Sequence, residues 1–287
     1  MGSGGGRQRR GKGLGVEQLI LASGACDPAN DIICKPDNVI DLFLFEDAIF
    51  SIGPWDITRT VFLILLAMVI VVSLLFFGLR KKRMNPSKFG VTIESLMSFV
   101  RDDISIGIIG PEGVKYYPWL LSLFLFVLVG NLFEVTPLIN FPITSRMAIA
   151  GGLSLLTWVI FVFVGLKKNG FRYVGTLIWP TTVPIALRPL VGLIEFVSTF
   201  FLRPLTLAVR LFANMVAGHL MLTLLLVSGW VFMSSVGDIG IRALIGVPWF
   251  VFGLGIYVFE IIVAVLQAYI ITLLSAVYVE SSIHIEH

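Results

Sequence analysis

The sequence predicts an all-α membrane protein with five transmembrane helices, and three observations carry that reading. The first is composition: 57% of the 287 residues are hydrophobic, only 14% are charged, and mean hydropathy is +0.94. Soluble domains carry about 25% charged residues, and a chain of this length has too little interior to hide so much Leu, Ile, Val and Phe. The second is the recurrence of apolar runs of about 20 residues, the length that spans a hydrocarbon core. The third is the sidedness of the charges between those runs. Together they exclude a cytosolic enzyme, a disordered chain and a secreted disulfide scaffold. The net charge of +3 is too small and too dispersed to indicate a nucleic-acid partner.

Residues 1–55 are expected to form an extracytoplasmic segment, partly disordered. Its first residues are rich in Gly and basic side chains, and Leu19–Leu21 is too short for a signal-peptide core. The membrane domain is expected over 56–287. Its first span covers about 61–79 and holds no charge. The second, about 116–133, ends near Asn131 and Glu134. The third, about 147–166, carries small residues at Ala148 and Gly152, a four-residue step that allows close helix contact. The last two, about 190–235 and 248–282, hold Arg210 and Glu260 within apolar runs too long for a perpendicular crossing. A helix of thirty-odd residues reaches about 46 Å against a core of about 30 Å. Either the helices tilt or part of each runs along the interface. A long, steeply tilted hairpin lying against a curved partner is the preferred reading.

Lys and Arg crowd the connections after the first and third spans: Arg80, Lys81, Lys82, Arg83, Lys88, Arg101 and Lys115, then Lys167, Lys168, Arg172 and Arg188. By the positive-inside rule these are cytoplasmic. The stretch before the first span holds Asp27, Asp31, Asp37, Asp41, Glu46, Asp47 and Asp56. The N-terminus is therefore expected outside and the C-terminus inside, in the bacterial cell membrane ahead of the mitochondrial inner or thylakoid membrane. Arg7, Arg9, Arg10 and Lys12 run against this, but far from the first span, where the rule is weak. Phe89, Ile93, Met97, Val100 and Ile104 recur at helical spacing, predicting an interfacial amphipathic helix over about 86–105. Asn38–Phe50 is a second candidate surface helix on the outer side.

Ionisable residues inside spans are costly and mark function by default. Arg210, His219 and Glu260 are the candidates, with Asn214, Gln267, Asn131 and Glu134 beside them. Arg210 keeps its charge and cannot relay a proton, so it suits a fixed barrier or a partner for a carboxylate. Glu260 and His219 can take up and release protons. Blander roles stay open. Arg210 can snorkel to the inner interface, Glu260 can be ionic glue, and Gln267 and Asn214 can be interhelical hydrogen bonds. In an antiparallel hairpin, facing residues have a near-constant sum of numbers. That places Arg210 opposite Gln267 and His219 opposite Glu260, with the second pair nearer the outside. Arg210 and His219, nine apart, fall on opposite sides of an ideal helix, which weakens the pairing unless Arg210 faces another protein while His219 faces the hairpin partner or a water-filled cavity. No metal motif, P-loop or catalytic cluster is present, so neither cofactor nor metal is expected. Cys26 and Cys34 are either a disulfide or two free thiols.

Four segments carry a resemblance. The segment from Arg203-Pro204 through Arg210 and Asn214 to Gly218-His219 resembles the conserved stretch of the F-type ATP synthase subunit a family. The segment from Glu260 through Gln267 to Tyr278 is similar to the last helix of that family, and Asn131-Leu-Phe-Glu134-Val-Thr-Pro137 to its Asn-x-x-acid-x-x-Pro motif. Lys88 to Val100 resembles its surface helix. The likeness runs from about Met84 to the C-terminus and does not reach residues 1–55.

This resemblance implies a non-catalytic, proton-translocating stator subunit beside a rotating ring of c subunits, joined to peripheral-stalk b subunits and the rest of an ATP synthase. ATP chemistry would be on other subunits. It implies that Arg210 attracts each passing c-ring carboxylate and separates two half-channels. Gln267 and Asn214 would line that contact, and His219, Glu260, Asn131 and Glu134 the outer half-channel. Glu195 would serve the inner half-channel, although it stands nine residues before Pro204 where the family often has an acid at eight. Two further departures are the N-terminal Cys pair and Arg146, which lies where many members have polar residues. The rivals are a secondary transporter with a buried Arg, against which the missing internal repeat speaks, and a lipid enzyme, for which no nucleophile or metal cluster is present.

Overall fold

A computed structural model of the chain describes residues 32–33, 48–52, 55–79, 88–136, 143, 146–170, 172–179, 184–185, 187–235, 237 and 240–284. Cys26 and Cys34, the basic residues near the N-terminus, Arg80–Arg83, Pro137 and Asp238 lie outside them. The described residues are helical apart from one antiparallel ribbon, strands β1 (Ala48–Ile52) and β2 (Trp55–Thr58). The ribbon takes the end of the outer segment expected to lie as a surface helix. The sequence between the strands, Gly53-Pro54, is turn chemistry, and Ile, Phe, Trp and Thr favour pleated backbone over helix.

Helix α1 is Arg59–Leu79. Helix α2, Lys88–Ser98, runs through a π-helical stretch, Phe99–Ile106, into a last turn at Gly107–Ile109. A 3-10 turn, Pro111–Lys115, leads to α3, Tyr117–Val135. Then come α4, Met147–Asn169, and the short α5, Arg172–Ile178. Helix α6, Arg188–Val197, passes through a second π-helical stretch, Ser198–Leu202, into α7, Arg203–Ser234. The 3-10 turn Gly240–Ile245 opens α8, Gly246–Ile283. Four helical stretches are long and apolar enough to cross a membrane: Tyr117–Val135, Met147–Asn169, Arg188–Ser234 and Gly240–Ile283. The first expected span coincides with α1, whose apolar part, Thr60–Phe76, is shorter.

The chain divides into two compact units, Phe43–His219 with Val258–His287, and Met1–Leu42 with Leu220–Tyr257. In the larger unit α3 is the enclosed helix. Leu120, Phe124, Val127 and Asn131 are buried at successive three- and four-residue steps, the spacing of one helix face. The three apolar ones meet Leu63, Ala67 and Val71 of α1, Val100 and Ile104 of the π stretch after α2, and Ala268 and Ile271 of α8 in one apolar cluster. The π stretch is amphipathic as expected, with Arg101, Asp102 and Asp103 exposed opposite Val100 and Ile104. By contrast α4 turns Leu155, Leu156, Val159 and Phe163 outward, as a helix facing lipid does. The small-residue step on α4 makes no close contact among the described residues. Ala148 and Gly152 are both exposed, and a Cβ at Gly152 would meet nothing within 4 Å. The close approaches fall elsewhere. Gly165 of α4 takes the Tyr173 ring, 2.8 Å from where a Cβ would stand, and Gly192 of α6 lies on the Ile178 carbonyl.

In the smaller unit the end of α7 and the start of α8 meet through glycines. A Cβ at Gly229 would lie 2.8 Å from the Phe250 Cα, one at Gly246 would lie 2.8 Å from the Gly229 carbonyl oxygen, and one at Gly253 would lie 2.8 Å from Leu226 Cδ2. The Gly229–Phe250 and Gly246–Gly229 approaches are backbone to backbone, which is how helices associate where lipid removes the hydrophobic drive. The Trp249 indole N–H donates to the Ile32 carbonyl at 3.0 Å.

Candidate functional site

The polar residues singled out from sequence fall within the larger unit, and packing decides which way each points. On α3, Asn131 and Glu134 continue the buried stripe that begins at Leu120, so both are carried inward, at 0% and 3% exposure. Asn131 Nδ2 reaches the Ala264 carbonyl of α8 at 3.4 Å, a long hydrogen bond. Glu134 Oε1 is buried with no hydrogen-bond partner among the described residues.

On α8, Glu260 and Gln267 are seven residues apart, two turns, and share one face. Both are buried, with Ala264 between them. The Glu260 carboxyl lies against Gly218 of α7: a Cβ there would come within 2.6 Å of Cδ, Oε1 and Oε2. This contact sets the hairpin register within one residue of the His219–Glu260 pairing expected from sequence. Glu134 is also within electrostatic reach of Glu260. The Glu260 carboxyl thus lies on the Gly218 backbone within electrostatic reach of Glu134, and His219, the next residue of α7, is buried. Gln267 Nε2 has no hydrogen-bond partner among the described residues.

Arg210 is elsewhere. Nine residues separate it from His219, about half a helical circumference, and α7 follows that geometry: His219 is buried and Arg210 is exposed. Of the two arrangements left open by the spacing, the structure adopts the one with Arg210 turned outward. The residues beside it on that face are Thr206, Ala213, Ala217 and Met221, all exposed, and the half-buried Asn214; the face is largely apolar, and the Thr206 hydroxyl donates back to the Leu202 carbonyl at 2.7 Å. No hydrogen bond joins Arg210 to Gln267 among the described residues. Asn214, one turn on, is half-buried, as is Arg146 before α4.

A second polar cluster lies where α5, α6, α7 and the end of α8 meet. Arg203 Nη1 donates to Ser281 Oγ at 3.2 Å, and its guanidinium stands 5.2 Å from the centre of the Tyr278 ring. Tyr173 OH and Ser282 Oγ are 3.3 Å apart, and Asn169 Nδ2 donates to the Ser282 carbonyl at 2.9 Å. Burial, eased by the Ser282 hydrogen bond, raises the Tyr173 phenol above its ordinary value. Glu195 is half-buried and within electrostatic reach of Arg203. Nearby, Lys168 Nζ is 2.6 Å from Glu112 Oε2, a hydrogen-bonded pair that holds that exposed carboxyl below the usual range. Among the described residues no group of three or more His, Cys, Asp or Glu stands together as a metal site.

Sequence reasoning missed Gly218, the Ala264 carbonyl and most of this second cluster. Gly218 was within reach, because the register rule points to it as readily as to its neighbour His219. The second cluster gave no signal, since Tyr, Ser and Asn near helix ends are ordinary.

The molecule is thus a multi-span integral membrane protein that buries acids and amides together inside its helices and turns one permanent cation outward on an apolar face. The ATP synthase A chain family matches residues 61–280. The chain is 39% identical over 253 residues to an ATP synthase subunit a of Frankia alni, covering 85% of this chain and 83% of that protein. A protein of the same name from Rhodococcus erythropolis is 36% identical over 247 residues, covering 85% and 89%. One from Cereibacter sphaeroides is 33% identical over 233 residues, covering 81% and 84%. The chain belongs to the ATP synthase A chain family.

Proposed function

We propose that the chain is the proton-conducting stator subunit of a rotary ATP synthase, set beside a ring of c subunits and held by peripheral-stalk b subunits. One observation carries this reading: Arg210 is exposed on an apolar face of a membrane helix. A guanidinium does not lose its proton, and facing hydrocarbon is very costly for it. A partner with a carboxylate must therefore cover that face. A ring of helices, each bringing an acid to membrane depth, supplies such a partner repeatedly.

A proton enters from outside past Glu134, Asn131, His219 and Glu260. It neutralises a ring carboxylate, which can then face lipid. After nearly a full turn the carboxylate meets the inner half-channel, served by Glu195, and discharges. Arg210, with Asn214 and Gln267 on the approaches, stabilises the bare carboxylate and keeps the two half-channels apart. Each charge moved through the membrane potential contributes about 2.3 kcal/mol per 100 mV. The nucleotide chemistry occurs on other subunits. The chain crosses a bacterial cell membrane five times, counting α1, with the N-terminus outside and a tilted α7–α8 hairpin against the ring.

A photoreactive amino acid at Ala213, on the Arg210 face, tests the partner in native membranes. The expected adduct is a small two-helix proteolipid. Adducts with lipid alone would overturn the proposal and favour a transporter working without a ring.

A further inference from the structure

The π-helical stretch Ser198–Leu202 separates Glu195 from Arg203. Its defining hydrogen bond runs from the Arg203 N–H to the Ser198 carbonyl, five residues back. In a regular helix two residues eight apart stand about 80° apart around the axis. A single π turn absorbs about one extra residue, so the pair behaves as if seven apart, about 20° from alignment. Glu195 and Arg203 then share a face, which agrees with the electrostatic reach of both to each other and to Tyr173.

The register also explains a contact that is otherwise puzzling. With the Arg203 N–H given to Ser198, the Thr199 carbonyl would next look five residues on, to Pro204, which has no N–H. The Trp158 indole of α4 fills that place, donating to the Thr199 carbonyl at 3.2 Å. Its ring meets Phe200 edge-on at 5.7 Å, and Phe200 stacks on Phe196 at 4.7 Å. Ser154, one turn earlier on α4, donates to the Pro204 carbonyl. Helix α4 thus holds the bulge at both ends.

We infer that the π turn is a register adapter: it absorbs one additional residue so that Glu195 faces Arg203 and Tyr173 as part of one polar path on the inner side of Arg210, and Trp158 is the positioning residue that holds it. This rests on the stator reading above.

Two variants of the assembled enzyme in membrane vesicles test it, read by ATP-driven proton pumping. Glu195→Gln should lower pumping about tenfold or more. Deleting Phe201 removes the additional residue and should leave pumping within about twofold, because the flanking helices keep their facing. Normal pumping in Glu195→Gln would defeat the role given to Glu195 in the stator reading, whatever the π turn does. Loss of pumping in the Phe201 deletion, with Glu195→Gln also defective, would overturn the adapter alone. A geometric readout covers a deletion that fails to assemble. With Cys26→Ser and Cys34→Ser in the background, Tyr173→Cys should crosslink through a short bifunctional thiol reagent to Glu195→Cys and not to Phe196→Cys. The reverse pattern would overturn the adapter.

Discussion

At position 218 a hydrogen in place of a methyl group decides where the Glu260 carboxyl lies. A Cβ there would come within 2.6 Å of three of its atoms, so Gly218→Ala must displace the carboxyl or part α7 from α8. We expect ATP-driven pumping to fall about tenfold or more with the complex still assembled, the scale of losing a positioned proton-transfer group. Unchanged pumping would show that the carboxyl has no fixed place. The same reasoning separates two glycines of α4. Gly165→Ala meets the Tyr173 ring and should cost about 1–3 kcal/mol, read as a lower thermal midpoint in detergent. Gly152→Ala has open space and should leave the midpoint unchanged. The residues of the site were legible in the sequence because an ionisable group inside an apolar run is rare and costly. The side each one faces was legible only where spacing fixed it, as for Arg210 against His219. The glycines were not, since a small residue reads the same whether it touches a carboxylate, a ring or lipid.

Among the elements, helix length and apolar content marked the four stretches that are long and apolar enough to cross a membrane, while the expected first span is matched by a shorter apolar run, Thr60–Phe76. The break before α8 follows from the Gly and Ser cluster at its turn and from Pro248, which fits a first helical turn. Hydrogen-bond register leaves no mark on hydrophobic periodicity. The two π stretches were therefore invisible. Short α5 and the β1–β2 ribbon lie below the length at which a period can be read. The register at α6–α7 makes its own prediction. Trp158→Phe keeps a ring beside Phe200 but leaves the Thr199 carbonyl without its donor, which should cost about 1–3 kcal/mol and lower the thermal midpoint of the complex. An unchanged midpoint would mean that the indole N–H contributes nothing to the turn.

On the scale of the whole chain, composition settled the environment and charge asymmetry proposes the orientation. A membrane-impermeant thiol reagent applied to intact cells after mild reduction should label Cys26 and Cys34. Labelling confined to inverted vesicles would reverse the orientation. The outward apolar faces of α4, α7 and α8 need lipid or protein to cover them, and we propose that a partner carboxylate, rather than a lipid phosphate, meets Arg210 on the face of α7. The most direct test of that claim is proton transport by the complex assembled with Arg210→Ala. The account predicts that ATP-driven pumping is lost while the complex remains intact. Pumping at the normal rate without the guanidinium would contradict it.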